Sequence, residues 1–157
     1  MKVISKQRNS RMCVVCGMDN PNGFRAQFYN MEDGSVVTPF CYREEHQSFP
    51  QRVHGGLTAT MLDELGLRAI WAKLSEDVFG VTMSMEVKYR KPVPYDVELL
   101  GRGILVKDTE ILDRKGILLA DAEVKYIKMK VEQIVQDVNP HEEMCYLIED
   151  GVTEILF

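Results

Sequence analysis

From Val81 to Tyr89 the chain alternates without a break. Val81, Met83, Met85, Val87 and Tyr89 are apolar or aromatic, and Thr82, Ser84, Glu86, Lys88 and Arg90 are polar. A period of two predicts a strand with one buried and one solvated face, ended by Pro92 and Pro94. Shorter alternations predict more strands. Phe24, Ala26 and Phe28 form one, and Ser35 to Phe40 form its hairpin return after Glu32-Asp33-Gly34, with Pro39 keeping that strand short or at an edge. Val97 to Val106 reads as a strand with Gly101 and Gly103 marking a bend or bulge. A strand ending near Leu112 turns through Asp113-Arg114-Lys115-Gly116 into a last long strand from Ile117 to about Met129. Ala120, Ala122, Val124 and Tyr126 share one face of that strand.

Between the hairpin and the long strands the period changes to that of a helix, from near Gly55 to about Leu74. Leu57, Met61, Leu62, Leu65, Ala69 and Ala72 form one apolar stripe at 100° per residue. Glu64 and Arg68 stand four apart in the order that favours an ion pair, which reads as a solvated face. Asp63 falls among Ala59, Leu67, Ile70 and Leu74 with no basic neighbour. An unpaired carboxylate on such a surface is costly to bury, so Asp63 requires a wet cavity or partners from elsewhere. One buried helix followed by antiparallel strands predicts an α+β domain.

The 157 residues suffice for one domain, read as a flexible lead-in over 1–12, a folded body over 13–130 and a C-terminal extension over 131–157. The extension reads as a short helix over Val131 to Val138 and a strand or partner-binding arm from Gly151 to Phe157. A net charge of −5 argues against nucleic acid as a main partner. No run approaches the roughly 20 apolar residues of a membrane span, and no apolar leader opens the chain. Four cysteines beside nine methionines suit a reduced, cytoplasmic chain. Cys13 and Cys16 have the spacing of half a zinc site. Cys41, Cys145 and three scattered histidines supply no second pair, so the expectation is no metal and a tight turn of small side chains.

His54-Gly55-Gly56 opens the helix. The first N–H groups of a helix lack internal partners and carry the positive end of its dipole. Two glycines let a ligand approach that backbone closely, so the turn is either a carbonyl-polarising site or a simple helix start.

The run His54-Gly55-Gly56-Leu57-Thr58-Ala59-Thr60-Met61-Leu62-Asp63 resembles the signature of PaaI-like hotdog-fold acyl-CoA thioesterases. Similar to the same family are Cys13-x-x-Cys16-Gly17 with Asn20-Pro21-x-Gly23, the entry loop His46-Gln47-Ser48-Phe49-Pro50, and Gly80 to Tyr89 followed by Arg90-Lys91-Pro92-Val93. The resemblance spans roughly residues 13–130. It implies a hotdog fold, one long central helix wrapped by an antiparallel sheet, in homodimers or homotetramers with active sites between subunits. It implies hydrolysis of an acyl-CoA substrate without a cofactor. Asp63 is the implied general base or nucleophile, and the N–H of Gly56, with Gly55, polarises the thioester carbonyl. His54 orients the turn or touches substrate. Thr82, across the interface, helps hold the attacking water, and Gln47 or Ser48 lies near the thioester. Arg90 and Lys91 meet coenzyme A phosphates or simply end a strand. The usual entry loop is Gln-Gly-x-Pro-Gly, and here Ser48 and Gln51 replace its glycines, which narrows the pocket or alters the loop. A non-catalytic acyl-CoA binder is the alternative. A hydratase or dehydratase using His46 or His54 is the third reading.

Overall fold

The computed structural model describes residues 1–74, 78–105, 108–135, 137 and 139–156. The ends of three expected elements, at Val106, Val138 and Phe157, lie outside them. In chain order the elements are β1 Val3–Lys6, β2 Tyr29–Met31, β3 Val36–Cys41, β4 Gln47–Phe49, β5 Arg52–Val53, α1 Gly55–Trp71, β6 Val78–Tyr89, β7 Glu98–Gly103, β8 Thr109–Asp113, β9 Leu118–Lys130, α2 Val131–Ile134 and α3 Pro140–Glu143. Seven strands form one antiparallel sheet in the order β1-β2-β3-β7-β8-β9-β6, and β4 and β5 form a small hairpin before α1. The sheet wraps the helix, since α1 packs on β3, β6, β7, β8 and β9. This is the α+β hotdog architecture.

The apolar stripe of α1 is core as expected. Met61, Leu62 and Leu65 are wholly buried, with Ala69 beside them, against Phe28, Val36, Leu99, Ile111, Ala120 and Ala122. The second apolar surface is covered as well, because Leu67, Ile70 and Trp71 pack with Phe79, Tyr126 and Met144. Gly101 and Gly103 make no bulge, and the β3–β7–β8 ladders run through them in register. A Cβ on Gly103 would lie 2.4 Å from the Leu65 carbonyl oxygen. These glycines let the helix lie close on β7.

Several expectations are corrected. Residues 1–12 are no loose lead-in. They contain β1, which pairs with β2, and buried Gln7 and Asn9. Asn9 Nδ2 donates to the Cys16 and Ala26 carbonyls, which anchors the segment. Phe24, Ala26 and Phe28 are buried in alternation, yet they form no strand. Their segment hydrogen bonds to the Val14 and Val15 carbonyls instead. β3 lies inside the sheet, but β2 pairs only with Val36 and Val37, so at Pro39 it is flanked by β7 alone. The tail folds back on its own chain. Tyr146 bridges Asn9 and Glu154 bridges Lys2, while Asp150 binds Lys6 and accepts from Tyr29 Oη at 2.5 Å. It covers the β1 edge, and among the described residues β6 is the open one.

The strict alternation of β6 is broken. Thr82 pairs with Tyr126 and Ser84 with Lys125, so Met83 is an extra residue. This bulge reverses which parity faces the helix. Met83, expected in the core, is 60% exposed, and Met85 and Val87 pack inward beyond it.

Candidate active site

Asp63 sits two turns inside α1 and is half-buried. Its carboxylate finds its partners in the sheet. Thr82 Oγ1 donates to Oδ1 at 2.8 Å. Tyr126 Oη lies 2.5 Å from the Asp63 main-chain oxygen and 3.2 Å from Oδ1. Thr82 and Tyr126 are directly paired across β6 and β9, so one rung of the ladder supplies both hydroxyls. The bulge after Thr82 explains its reach. A β6 that followed its original alternation would turn Thr82 away from the helix. Thr82 and Asp63 meet within one chain. Burial and the neighbouring Asp63 raise the Tyr126 hydroxyl above its ordinary ionisation range, which keeps it a donor. The alternation of β9 sets Tyr126 on one face with Ala120, Ala122 and Val124. A polar tip on an apolar face was its one signal, and nothing in the sequence pairs it with Asp63.

The other expected residues gather at the N-terminus of α1. His54 is the N-cap, and its Nδ1 accepts the Gly56 N–H at 3.0 Å. The donor expected to polarise a carbonyl is thus held by the imidazole, and a substrate must take it from there. Tyr89 Oη donates to the Gly55 carbonyl at 2.9 Å. A cavity of 340 Å³ opens here, lined by Gly55, Thr58, Tyr89, Arg90, Lys91 and Pro92 among others. Arg90 is a two-pronged partner of Asp121, at 2.6 and 3.2 Å, whereas Lys91 forms no ion pair among the described residues. Gln47 and Ser48 lie exposed on β4, in the hairpin that leads into the helix. Gln51 takes φ 66°, the backbone that a glycine would adopt, and its N–H donates to Tyr95 Oη. The loop thus keeps a left-handed residue without the glycine that usually supplies it.

His46 is buried, accepts the Arg43 N–H at Nδ1 and packs edge-on against Phe24 and Tyr42. With His54 capping the helix, both imidazoles proposed for hydratase chemistry hold local structure.

Glu64 and Arg68 pair as expected, at 2.8 Å, but not on a solvated face. Arg68 is the largest wholly buried side chain. It stacks on Phe28 and Trp71 and donates to the Arg8 carbonyl. Burial opposes its charge, but Glu64 and the nearby thiols outweigh that and raise its pKa. Cys13 and Cys16 form the expected tight turn, closed by Gly17 N–H to the Cys13 carbonyl. The Cys13 and Cys16 sulfurs and a Glu64 oxygen lie within 4.8 Å of one another. That is three donors where a closed zinc site has four, and Arg68 already supplies the cation. The hydrogen bond from Cys13 lowers Cys16 to about 6 against its burial. The same bond, burial and Glu64 raise Cys13. Among the described residues no helix is long and apolar enough to cross a membrane.

Residues 51–107, which contain the helix N-terminus, Asp63 and Thr82, match the family model described as the thioesterase superfamily. A solved thioesterase superfamily protein shares 24% identity over 74% of this chain, with a TM-score of 0.68, and this chain spans 60% of its length. Zebrafish thioesterase superfamily member 2 shares 22% identity over 64% of this chain and 80% of its own, with a TM-score of 0.57. A Ralstonia eutropha protein described as related to phenylacetic acid degradation shares 18% over 66% and 84%, with a TM-score of 0.58. No curated protein matches the chain. Residues 51–107 are thus similar to the thioesterase superfamily, and the chain shares the hotdog fold of these solved structures.

Proposed function

We propose that the chain hydrolyses an acyl-CoA thioester, with Asp63 as general base or nucleophile. In the base route Asp63 takes a proton from water as the water oxygen attacks the carbonyl carbon. The C–S bond then breaks, and coenzyme A leaves as thiolate and is protonated. Thr82 spends its one proton on Asp63 and keeps lone pairs that accept a hydrogen bond from that water. Gly56 N–H, helped by Gly55 and the helix dipole, polarises the carbonyl after His54 releases it. Gln47 or Ser48 borders the thioester, and Lys91, with Arg90 in a lesser role, faces the phosphates. The observation that carries this reading is the half-buried Asp63 carboxylate held by Thr82 within the segment matched to the superfamily.

A second copy of the chain completes the proposed site. Gly56 and Asp63 are seven residues apart on one helix, about 10 Å at 1.5 Å per residue. One chain cannot set both on a single carbonyl. A homodimer, alone or within a homotetramer, brings the helix N-terminus of one copy to the Asp63 of the other. The open edge of the twelve-residue β6 is the surface that supports such pairing.

A non-catalytic acyl-CoA binder is the second reading, favoured by the Gly56 N–H already being bound to His54. Acyl-CoA esters of graded chain length, assayed with a thiol-reactive dye, separate the two. Release of coenzyme A that vanishes in Asp63→Asn supports hydrolysis. Saturable binding without thiol release supports the binder.

A further inference from the structure

We propose that Tyr126 is a positioning residue for Asp63, locking the carboxylate in its working rotamer; this rests on the hydrolytic reading above. The hydroxyl spans the main-chain oxygen and Oδ1 of Asp63, at 2.5 and 3.2 Å. It therefore ties the side chain to its own backbone. The one hydroxyl proton is shared between these two oxygens, and Thr82 donates to Oδ1 from the sheet, so Oδ1 is held on two sides. Among the described residues Oδ2 accepts no hydrogen bond, which leaves it to meet water or carbonyl carbon.

The helix is shaped for this hydroxyl. A Cβ on Gly66 would lie 2.2 Å from Tyr126 Oη, so any larger residue there displaces the tyrosine. Gly80 is close to the ring as well, since an added Cβ would lie 3.2 Å from a Tyr126 ring carbon and 3.1 Å from Ile70. Two glycines, one on the helix and one on β6, thus seat a single ring. Simple packing needs no such provision for the oxygen, since a phenylalanine would fill the apolar part of the space. On its other side the ring lines a 390 Å³ cavity with Ala69, Ile70, Leu105 and Val124, so Tyr126 stands between Asp63 and that apolar space.

The test compares wild type, Tyr126→Phe, Thr82→Val and the double variant for kcat, KM and melting temperature on the best thioester of the panel. Tyr126→Phe is expected to lower kcat by between about 10- and 100-fold through loss of orientation. KM should stay within about 2-fold, since a positioning residue acts on the transition state and not on ground-state binding. Because both hydroxyls serve Oδ1, the double variant should lose less than the product of the single losses. Gly66→Ala, which keeps the hydroxyl but pushes it aside, should mimic the phenylalanine variant if that one folds poorly. An active wild type whose Tyr126→Phe retains its kcat, or whose losses multiply independently, overturns the inference alone. A wild type that turns over no thioester removes the proposed function and this inference with it.

Discussion

Thr82 and Asp63 meet at 2.8 Å because β6 carries one extra residue just beyond Thr82. That contact sets the first prediction. Asp63→Asn should reduce kcat by about 100-fold or more, the usual contribution of a positioned base, with the fold intact by circular dichroism. Thr82→Val should cost less, near 10-fold, because it removes a donor and not the reacting group. Steady-state kinetics on one thioester checks both.

The bulge also shows where sequence reasoning stopped. The period of β6 correctly named a strand, and the wheel correctly set Asp63 apart from Glu64. Neither could register Met83 as the extra residue, because a bulge is defined by the partner strand and β9 lies some forty residues away. Tyr126 was hidden for the same reason. Its role comes from facing Thr82 across the ladder. The Glu64–Arg68 pair was legible as a pair and misplaced in depth. The covering elements are Gln7 and Arg8, from the segment read as a flexible lead-in, and the Cys13–Cys16 turn, which nothing in the sequence ties to Arg68.

The buried pair predicts an asymmetric response to mutation. Glu64→Ala leaves a wholly buried guanidinium without its carboxylate and should cost about 3–5 kcal/mol. Replacing both partners with apolar residues, Glu64→Leu with Arg68→Met, should cost clearly less than the two single losses combined. Urea denaturation of the wild type, Glu64→Leu, Arg68→Met and the double variant measures this, with Glu64→Ala run beside them. Equal, additive losses would contradict a buried, mutually dependent pair.

Gln51 holds a left-handed backbone at φ 66° that a side chain disfavours. Relief of the left-handed strain outweighs the added freedom of the unfolded glycine, so Gln51→Gly should stabilise the chain by up to about 1 kcal/mol. A rise in denaturation midpoint supports the strain, and a fall shows that the loop needs the Gln51 side chain.

Asp150 fastens the tail. Burial opposes its ionisation, but bonds from Lys6, Tyr29 and the Val152 N–H outweigh that and lower the carboxyl to about 2. A carboxyl lowered on folding stabilises above its unfolded value, near 3.8, and the gain fades as pH falls toward 2. At pH 7 the tail should stay zipped to β1. Asp150→Asn should speed amide exchange at Val3 and Ile155, whose N–H groups bridge tail and N-terminus, by more than elsewhere. Uniform protection in both proteins would show that the backbone bridges hold the tail alone.

The separation of Gly56 from Asp63 makes the shared site testable by complementation. Gly56→Pro removes the N–H at a first-turn position that tolerates proline, and Asp63→Asn removes the carboxylate. Each variant alone should be inactive. Co-expressed, they pair at random, half of the dimers are mixed, and each mixed dimer rebuilds one of two sites. Activity should return to about a quarter of the wild-type level. No recovery, with mixed dimers demonstrated by differential tagging, would mean that both groups serve sites within one chain. The 10 Å gap along α1 would then have to be closed by movement of the helix start itself, a far larger rearrangement than two copies meeting at the β6 edge requires.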